Sequence, residues 1–336
     1  MVTRRAGAAP TLVLSRSDVF ALLTVSDCID AVEHAFRLHA HGRTLRPGVL
    51  GVPARDGGFH VKAAGLLGEQ NYFAAKTNAN FPDNPSRWGL PTIQGTLVLA
   101  DADNGATLAV MDAGSVTALR TGAATAVAAR RLARSDARTI TIVGCGVQGQ
   151  VQLAALASVL PLERAWTVDV DVSRAQALAA QAGATLGLRV DAANDLLAAV
   201  RQSDVCVTCT PGRRVVLSYG DVPAGAFVAA VGADSQGKQE LDPALVASAT
   251  LVVDVLEQCA EIGELQHALA AGLMTRDQVH AELADLVIGR RPGRTRADEI
   301  TIFDSTGTAL QDVAAAIAVY EKARASGRGV EVKFDG

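Results

Sequence analysis

Long apolar runs and an excess of charge of one sign are both missing from this sequence. No apolar run approaches the roughly 18 residues that a membrane-spanning helix needs, so no membrane span is expected. The net charge of −4 provides no basic surface for nucleic acid or anionic lipid. The N-terminal stretch MVTRRAGAAPTLVLS has an apolar segment too short for a signal peptide. These absences predict a cytoplasmic protein whose partners include neither nucleic acid nor a membrane.

Cysteine is also sparse, and the five cysteines are Cys28, Cys145, Cys206, Cys209 and Cys259. The pair Cys206 and Cys209 matches CxxC but falls in an apolar run typical of a buried strand. Residues three apart on a strand point to opposite faces, so this pair does not readily bind a metal or close a disulfide. His34, His39 and His41 are spaced by five and two positions, which is not the i, i+4 spacing of a helical ligand pair. No metal site is predicted.

The chain does contain a strand, a glycine turn, a helix and a second strand between Thr139 and Asp169. Apolar β-formers run into Gly-Cys-Gly-Val-Gln-Gly, which has the GxGxxG spacing of dinucleotide-binding turns. The first glycine permits a tight turn, the second lets the backbone approach a pyrophosphate, and the following helix directs its N-terminal N–H groups at that anion. A tight βα turn that binds nothing is the alternative. The predicted cofactor contacts in the turn are Gly144, Gly146, Val147 and Gln148.

Asp169 closes the second strand at the spacing where a carboxylate accepts hydrogen bonds from both ribose hydroxyls of NAD. The same carboxylate repels an adenosine 2′-phosphate, and the next residue is Val170 rather than an arginine. NAD(H) is therefore predicted as the cofactor in preference to NADP(H). Ser173 and Arg174 begin the next helix close to the ribose and leave NADPH use open.

Strands alternate with helices from Thr139 to about residue 255, which predicts a doubly wound parallel sheet. Ligands of such sheets bind beyond the carboxyl ends of the strands. Candidate contacts at two of these ends are Thr208 and Thr210 after one strand, and Gly232 and Asp234 after another. With 336 residues the chain is expected to form two domains.

The segments that flank this region have a different texture. Residues 43–111 show short strands divided by Gly, Pro and Asn loops, which predicts an antiparallel α+β domain. A helix at Ser26–His41 is expected before it, capped by Ser26 and ended by Gly42. Residues 78–91 are predicted to be a long loop. An alanine-rich helix leads into the glycine turn, and a final helix is predicted at 309–325.

Five motifs in order resemble the ornithine cyclodeaminase/μ-crystallin family, over roughly residues 12–325. They are Gly89-Leu-Pro-Thr-Ile-Gln-Gly95, Ala118-Leu-Arg-Thr-Gly-Ala-Ala124, Ile142-Val-Gly-Cys-Gly-Val-Gln148, Val231-Gly-Ala-Asp-Ser-Gln-Gly-Lys-Gln-Glu-Leu-Asp-Pro243 and Ile302-Phe-Asp-Ser-Thr-Gly307. The resemblance implies a Rossmann domain inserted in a discontinuous α+β domain that forms a homodimer. We place the NAD-binding Rossmann domain at 122–301 and the substrate-binding and dimerisation domain at 1–121 and 302–336.

The resemblance also implies roles for individual residues. Arg46 and Arg120 match arginines that bind the substrate carboxylate, for which a guanidinium fork is suited. Lys76 matches a lysine that contacts this carboxylate or polarises the reacting C=N or C=O bond. Asp234 matches the acid beside the substrate nitrogen, and Thr92 lies in a motif near the nicotinamide. The residues alone are also consistent with surface charges at Arg46 and Lys76 and with an acid in a turn at Asp234. A buried Arg120 is explained by an anionic ligand, because an unpaired buried charge is costly.

The sequence departs from the ornithine cyclodeaminases at Gly58–Lys62, where the family's glutamate for the substrate amines is missing. Lys62 favours an anionic or neutral substrate instead, unless it is an exposed strand charge. This position and Ile262–Leu269 resemble the iminosuccinate-reductase-like branch. The expected activity is NAD(H)-dependent reduction of a small α-imino acid, with iminosuccinate favoured. The alternatives are an ornithine-type cyclodeaminase that uses NAD catalytically and a non-enzymatic NAD(P)H-binding protein, which Asp234 disfavours.

Overall fold

A computed structural model describes residues 10–334 of the chain, so most of the N-terminal stretch considered for a signal peptide lies outside the described residues. The strands are β1 (Thr11–Leu14), β2 (Thr44–Ala54), β3 (Gly57–Leu67), β4 (Asn71–Asn80), β5 (Ile93–Asp101), β6 (Thr107–Asp112), β7 (Thr139–Val143), β8 (Arg164–Val168), β9 (Arg189–Ala192), β10 (Val205–Thr208), β11 (Arg213–Leu217), β12 (Phe227–Ala230), β13 (Gln239–Leu241), β14 (Thr250–Val253), β15 (Ala281–Glu282), β16 (Thr301–Asp304) and β17 (Val330–Val332).

The helices are α1 (Arg16–Leu22), α2 (Val25–Ala40), α3 (Asn84–Trp88), α4 (Ala113–Leu132), α5 (Val147–Ala157), α6 (Val172–Leu186), α7 (Leu196–Val200), α8 (Pro243–Ser248), α9 (Leu256–Ile262), α10 (Leu265–Ala270), α11 (Leu283–Val287) and α12 (Ala309–Ser326). A short 3-10 helix lies at Arg276–Gln278. Within residues 10–334, none of these helices is long and apolar enough to cross a membrane.

The chain divides into two compact units. Unit one comprises the residues up to Arg120 and those from Thr308 onward, and unit two comprises Thr121–Gly307. Unit one resumes at Thr308, six residues later than the boundary expected at 302. The reason is β16, which pairs in parallel with β12 and β14 and so belongs to the sheet of unit two.

Unit one is built on a seven-stranded sheet in the order β17-β1-β6-β5-β4-β3-β2. Its neighbouring strands run antiparallel except for β1 and β6, which are parallel. Helix α12 contacts both α2 and the strands β3 and β4, and the core includes the fully buried Phe36, Leu97 and Leu99. The prediction of a largely antiparallel α+β region therefore describes unit one.

Two local expectations in unit one were wrong, and one strand was not predicted. Thr24, not Ser26, caps helix α2, because Thr24 forms a capping box with Asp27. The predicted loop at 78–91 contains the end of β4 and helix α3. Strand β2 was missed because Pro47, Gly48 and Pro53 resemble a loop; as an edge strand, β2 tolerates prolines without losing the inner ladder.

Unit two contains an eight-stranded, all-parallel sheet in the order β15-β14-β16-β12-β10-β7-β8-β9. The chain passes from β7 to β8 and β9 in one direction and continues from β10 on the other side of β7. This reversal is the topological switch point where doubly wound sheets bind ligands. The strands β10 and β12 are buried throughout, as expected for a sheet covered on both faces.

Candidate active site

The glycine turn follows β7 at the switch point of unit two. Gly144 has φ +100°, and a Cβ there would come within 2.9 Å of the Cys209 carbonyl oxygen. A Cβ on Gly149 would lie 2.3 Å from the Gly144 carbonyl oxygen, whereas a Cβ on Gly146 would have open space around it. The first and third glycines are therefore required by close packing. Gly146 leaves the mouth of the turn open.

Helix α5 begins at Val147, directly after this opening. Its N-cap is Gly146, which has no side chain to accept a hydrogen bond from the first turn. The N–H groups and the positive end of the helix dipole are thus available to an anion. Val147 is exposed and Gln148 is partly buried beside the opening. This arrangement fits the pyrophosphate of a dinucleotide.

Asp169 follows β8 and is hydrogen-bonded to the glycine turn. One carboxylate oxygen accepts from the Cys145 N–H at 2.7 Å, and the other accepts from the Asp171 N–H at 2.9 Å. These bonds hold the carboxylate at the carboxyl end of β8, where it remains partly exposed. The Arg174 Nε lies 3.5 Å from the Asp171 carboxylate, and both side chains are largely exposed. A carboxylate in this position could accept from ribose hydroxyls and would repel a 2′-phosphate.

The ends of β10 and β12 carry the other predicted contacts of unit two. Thr208 is buried at the last position of β10. The Thr210 N–H donates to one oxygen of Glu240 at 2.6 Å, and the Gly232 N–H donates to the other at 2.8 Å. Asp234 is half exposed and its carboxylate lies 2.6 Å from the Lys238 Nζ. Glu240 was quoted only as part of a motif and given no role, because its neighbours Lys238, Gln239 and Asp242 are polar and give no signal of burial.

The second group of charged residues lies in unit one and centres on Lys76. Its side chain is only 2% exposed, and its Nζ lies 2.8 Å and 2.7 Å from the two carboxylate oxygens of Asp312. Nζ also donates to the Thr117 hydroxyl at 3.1 Å. Lys62 on β3 is directly opposite Lys76 on β4. Two like charges at paired positions repel each other, and the Asp312 carboxylate on Lys76 offsets this repulsion.

Arg120 contacts the same carboxylate. Its Nε donates to Asp312 at 2.9 Å and its Nη1 donates to Gln311 at 2.9 Å. The expectation that only a bound anion explains a buried Arg120 was incomplete, because α12 supplies an anion of its own. Asp312 was missed by sequence reasoning. The available signal was an acid and a glutamine beside each other in the otherwise apolar, alanine-rich first half of the helix.

We call Lys62, Lys76, Arg120 and Asp312 the cationic cluster. Burial lowers the pKa of Lys76 to about 7, against the opposing charge of Asp312, and the charges of Arg120 and Lys62 lower it further. Burial acts to raise the pKa of Asp312, but the charges of Lys76 and Arg120 outweigh it and keep the pKa below its usual value. Three basic side chains thus surround one carboxylate.

The two remaining predicted residues lie elsewhere in unit one. Arg46 is exposed on the edge strand β2, at an irregularity in the pairing between Leu45 and Gly48. Thr92 is partly buried just before β5, and its carbonyl oxygen accepts from the Phe81 N–H at 2.9 Å. Their predicted roles stay predictions.

Comparison with known proteins identifies the family. The sequence profile of the ornithine cyclodeaminase/mu-crystallin family matches residues 9–327. The chain belongs to this family. The resemblance drawn from the five motifs is therefore confirmed.

Three solved structures of this family are similar to the chain over nearly its whole length. An archaeal alanine dehydrogenase dimer with bound NAD has a TM-score of 0.92 at 38% identity, covering 96% of this chain and 99% of that one. The Δ(1)-pyrroline-2-carboxylate reductase of Thermococcus litoralis, in complex with NADH and L-proline, has a TM-score of 0.91 at 33% identity, with coverage of 96% and 100%. The iminosuccinate reductase of Paracoccus denitrificans, in complex with NAD⁺, has a TM-score of 0.89 at 34% identity, with coverage of 97% and 100%. The predicted Rossmann sheet within a discontinuous α+β protein is confirmed.

Proposed function

We propose that the protein is an NAD(H)-dependent imine reductase or amino-acid dehydrogenase that acts on a small α-imino acid. The observation that carries this proposal is the buried pair of Lys76 and Arg120, which share the single carboxylate of Asp312. When Lys76 is protonated, this pair carries one positive charge more than Asp312 neutralises; burying an uncompensated charge is costly, so a second anion is favoured as ligand. The carboxylate of an α-imino acid is such an anion. Unit one is then the substrate-binding part of the chain and unit two the nucleotide-binding part.

Unit two is proposed to bind NAD(H) in preference to NADP(H). The open mouth of the glycine turn and the uncapped start of α5 suit a pyrophosphate, and Asp169 suits a ribose with free hydroxyls. The other contacts proposed are Gly144, Gly146, Val147, Gln148, Thr208, Thr210 and Gly232, with Thr92 near the nicotinamide. The bound cofactor supplies the hydride.

The remaining chemistry is assigned to side chains of the protein. Lys76 and Arg120 bind the substrate carboxylate and fix its orientation, with Arg46 as a further contact. Asp234 exchanges a proton with the substrate nitrogen, directly or through water. The Lys238 Nζ lies 2.6 Å from the Asp234 carboxylate and holds this acid within its own loop. A non-enzymatic binding protein would not need Asp234.

Lys62 favours a dicarboxylic imine such as iminosuccinate. It faces Lys76 across the strand pair, and its charge acts on both Lys76 and Asp312. A third cation suits a second substrate carboxylate and repels the cationic side chain of ornithine or lysine. A cyclodeaminase activity, although it occurs in this family, is for this reason the second candidate.

A homodimer is the proposed assembly. The edge strand β2 is 11 residues long and carries the exposed apolar side chains Leu45, Val49, Leu50 and Val52. A long, apolar, unpaired edge normally requires a partner. The archaeal alanine dehydrogenase to which the chain is similar is described as a dimer. A cytoplasmic location stays a prediction.

The activity is tested by following NADH absorbance with ammonia and a panel of 2-oxo acids (oxaloacetate, pyruvate and glyoxylate) and cyclic imino acids. Net NADH oxidation, fastest with oxaloacetate and ammonia, is the expected result. Ornithine with NAD⁺ is assayed in parallel for ammonia release. Ammonia release without net change in NADH would identify a cyclodeaminase and contradict the role given to Lys62.

A further inference from the structure

Glu240 occupies a position in unit two that the reaction chemistry does not explain. Its side chain is fully buried, and each carboxylate oxygen accepts from a main-chain N–H of a different loop. One loop follows β10 and contains Thr210, and the other follows β12 and contains Gly232 and Asp234. A single carboxylate thus joins the ends of two neighbouring parallel strands at the edge of the sheet where ligands bind.

Gly232 is a glycine because of Glu240. It does not have a positive φ, so its backbone conformation does not require glycine. A Cβ at this position would instead lie 2.4 Å from the carboxyl carbon of Glu240. The carboxylate therefore occupies the space that a side chain at 232 would need, and only glycine allows the N–H of residue 232 to reach it.

The segment that carries Glu240 is itself held in place. Glu264 accepts from the N–H groups of Glu240 at 2.7 Å and Leu241 at 3.1 Å. Two residues before Glu240, the side chain of Lys238 pairs with Asp234. The backbone carbonyl of Lys238 lies 2.7 Å from the His267 Nε2. The short segment 238–241 is thus fixed on one side and contacts the loop of Gly232 and Asp234 on the other.

The loop after β10 also contacts the glycine turn. The Cys209 N–H donates to the Val143 carbonyl at 2.9 Å, and the Cys209 Sγ lies 3.1 Å from the Gly144 carbonyl oxygen. A displacement of Thr210 would therefore be transmitted to the turn through the adjacent Cys209. Through these hydrogen bonds and contacts, Glu240 connects the glycine turn, the loop after β10 and the loop that carries Asp234.

We propose that Glu240 is a positioning residue of the nucleotide site, which sets the spacing between the loops of Thr210 and Gly232 and so holds Asp234 in place. This inference rests on the proposed function for the identity of the nucleotide. The geometry that supports it does not depend on the substrate.

The first test is Glu240→Gln, in which one acceptor oxygen is replaced by an amide NH₂ that faces a main-chain N–H. Hydrogen exchange of the full chain without nucleotide should show faster exchange at the amides of both Thr210 and Gly232. The dissociation constant of NADH, measured by fluorescence, should rise about tenfold, because loops displaced by the loss of an internal hydrogen bond to a charged group contact the nucleotide less well. Unchanged exchange at both amides, or unchanged NADH affinity, overturns the proposal.

A matched control is Glu299→Gln. Glu299 is a buried acid that accepts from the main-chain N–H groups of Thr295 and Arg296, but it precedes β16 at the amino end of the strands. The substitution should lower the melting temperature without changing the NADH dissociation constant. An equal loss of NADH affinity in both variants would show a general structural effect and contradict a specific role for Glu240.

A second pair of variants keeps the proposal testable if Glu240→Gln does not fold. Gly232→Ala alone should weaken NADH binding, since the new methyl group displaces the carboxylate. Adding Glu240→Asp shortens the acid and makes room, so the double variant should bind NADH more tightly than Gly232→Ala. Additive losses would contradict the proposed contact. If the wild type binds no NADH, the proposed function fails, whereas hydrogen exchange at Thr210 and Gly232 still decides the role of Glu240.

Discussion

The two units contain opposite kinds of buried charge. In unit one the buried Lys76 and Arg120 of the cationic cluster share the carboxylate of Asp312, and the partly buried Lys62 lies opposite Lys76 on the neighbouring strand. Unit two contains an acidic cluster, which we define as the buried side chains of Asp254, Asp304, Glu240 and Glu264. The acidic cluster is stabilised by main-chain N–H donors; Glu264, for example, accepts two of them, and Asp304 accepts from Leu265 at 2.9 Å.

The pKa values of the buried acids also differ between the two units. Burial and the neighbouring charge of Asp304 raise the pKa of Glu264 to about 9. Burial also raises the pKa of Asp304 to about 7, whereas Asp312 in unit one has a lowered pKa because two cations surround it. An acid can thus become neutral or accept from the main chain, and the acidic cluster needs no ligand. In the cationic cluster the guanidinium of Arg120 keeps its charge and is paired with Asp312, so a protonated Lys76 is best balanced by an anionic substrate.

The largest expected effect is on stability, and it compares the two clusters directly. Asp312→Asn leaves Lys76 and Arg120 buried beside a neutral amide and should lower the free energy of unfolding by about 3–5 kcal/mol. Glu264→Gln should cost less, about 1–3 kcal/mol, because it leaves one buried main-chain N–H without an acceptor but no charge unpaired. Denaturant unfolding of both variants provides the measurement.

Asp56→Asn serves as the control in unit one. Asp56 pairs with Arg87 at 2.8 Å, and both side chains are about half exposed, so this substitution should change stability little. If Asp312→Asn and Glu264→Gln lower the free energy of unfolding equally, the distinction between a cluster that needs a ligand and one that does not is contradicted.

The next effect concerns substrate choice. Lys62→Met should lower kcat/KM for a dicarboxylic imine by about tenfold to a hundredfold relative to a monocarboxylic one, since one charged hydrogen bond to the second carboxylate is lost. Lys62→Arg should retain most of the preference. Lys322→Met removes a lysine that pairs with Asp27 elsewhere in unit one and should leave the ratio unchanged. If Lys62→Met leaves the ratio unchanged as well, iminosuccinate loses its support.

A smaller effect is expected at Asp169, the carboxylate of unit two that remains partly exposed to a ligand. Asp169→Asn should weaken NADH binding by about tenfold and improve the relative affinity for NADPH, because the charge that repels the 2′-phosphate is removed. Asp171→Asn is the matched control, as Asp171 caps α6 two residues further on. Tighter binding of NADPH than of NADH by the wild type would contradict the assignment of the cofactor.

The sequence predicted unit two better than unit one, for physical reasons. Local signals define the glycine turn: the strand before it, the helix after it and Asp169 at a fixed spacing. Strand β2 lacked such a signal, because its prolines and glycines match a loop and only pairing with β3 makes it a strand. The N-terminal cap of helix α2 was predicted two residues too late because Thr24 and Ser26 are both suitable capping residues.

The site residues that were missed are those defined by distant partners. Asp312 lies 236 positions from Lys76 and 192 positions from Arg120, so no local pattern connects them. Glu240 acts through main-chain N–H groups, which every residue has and which leave no trace in the sequence. Resemblance to a family predicted residues for ligand contacts, but the groups that hold those residues became visible only in the fold.

The most direct test of the central claim is calorimetric titration of succinate into the NADH-saturated protein at pH 7.5, in two buffers that differ in ionisation enthalpy. Because the pKa of Lys76 is about 7, much of this lysine is neutral at that pH, and a bound carboxylate should raise its pKa and cause proton uptake. Affinity should accordingly fall as the pH rises above about 7, and Lys76→Met should bind more weakly without proton uptake. Binding of succinate with no proton uptake by the wild type, or with the same uptake by Lys76→Met, would contradict a carboxylate site at the cationic cluster.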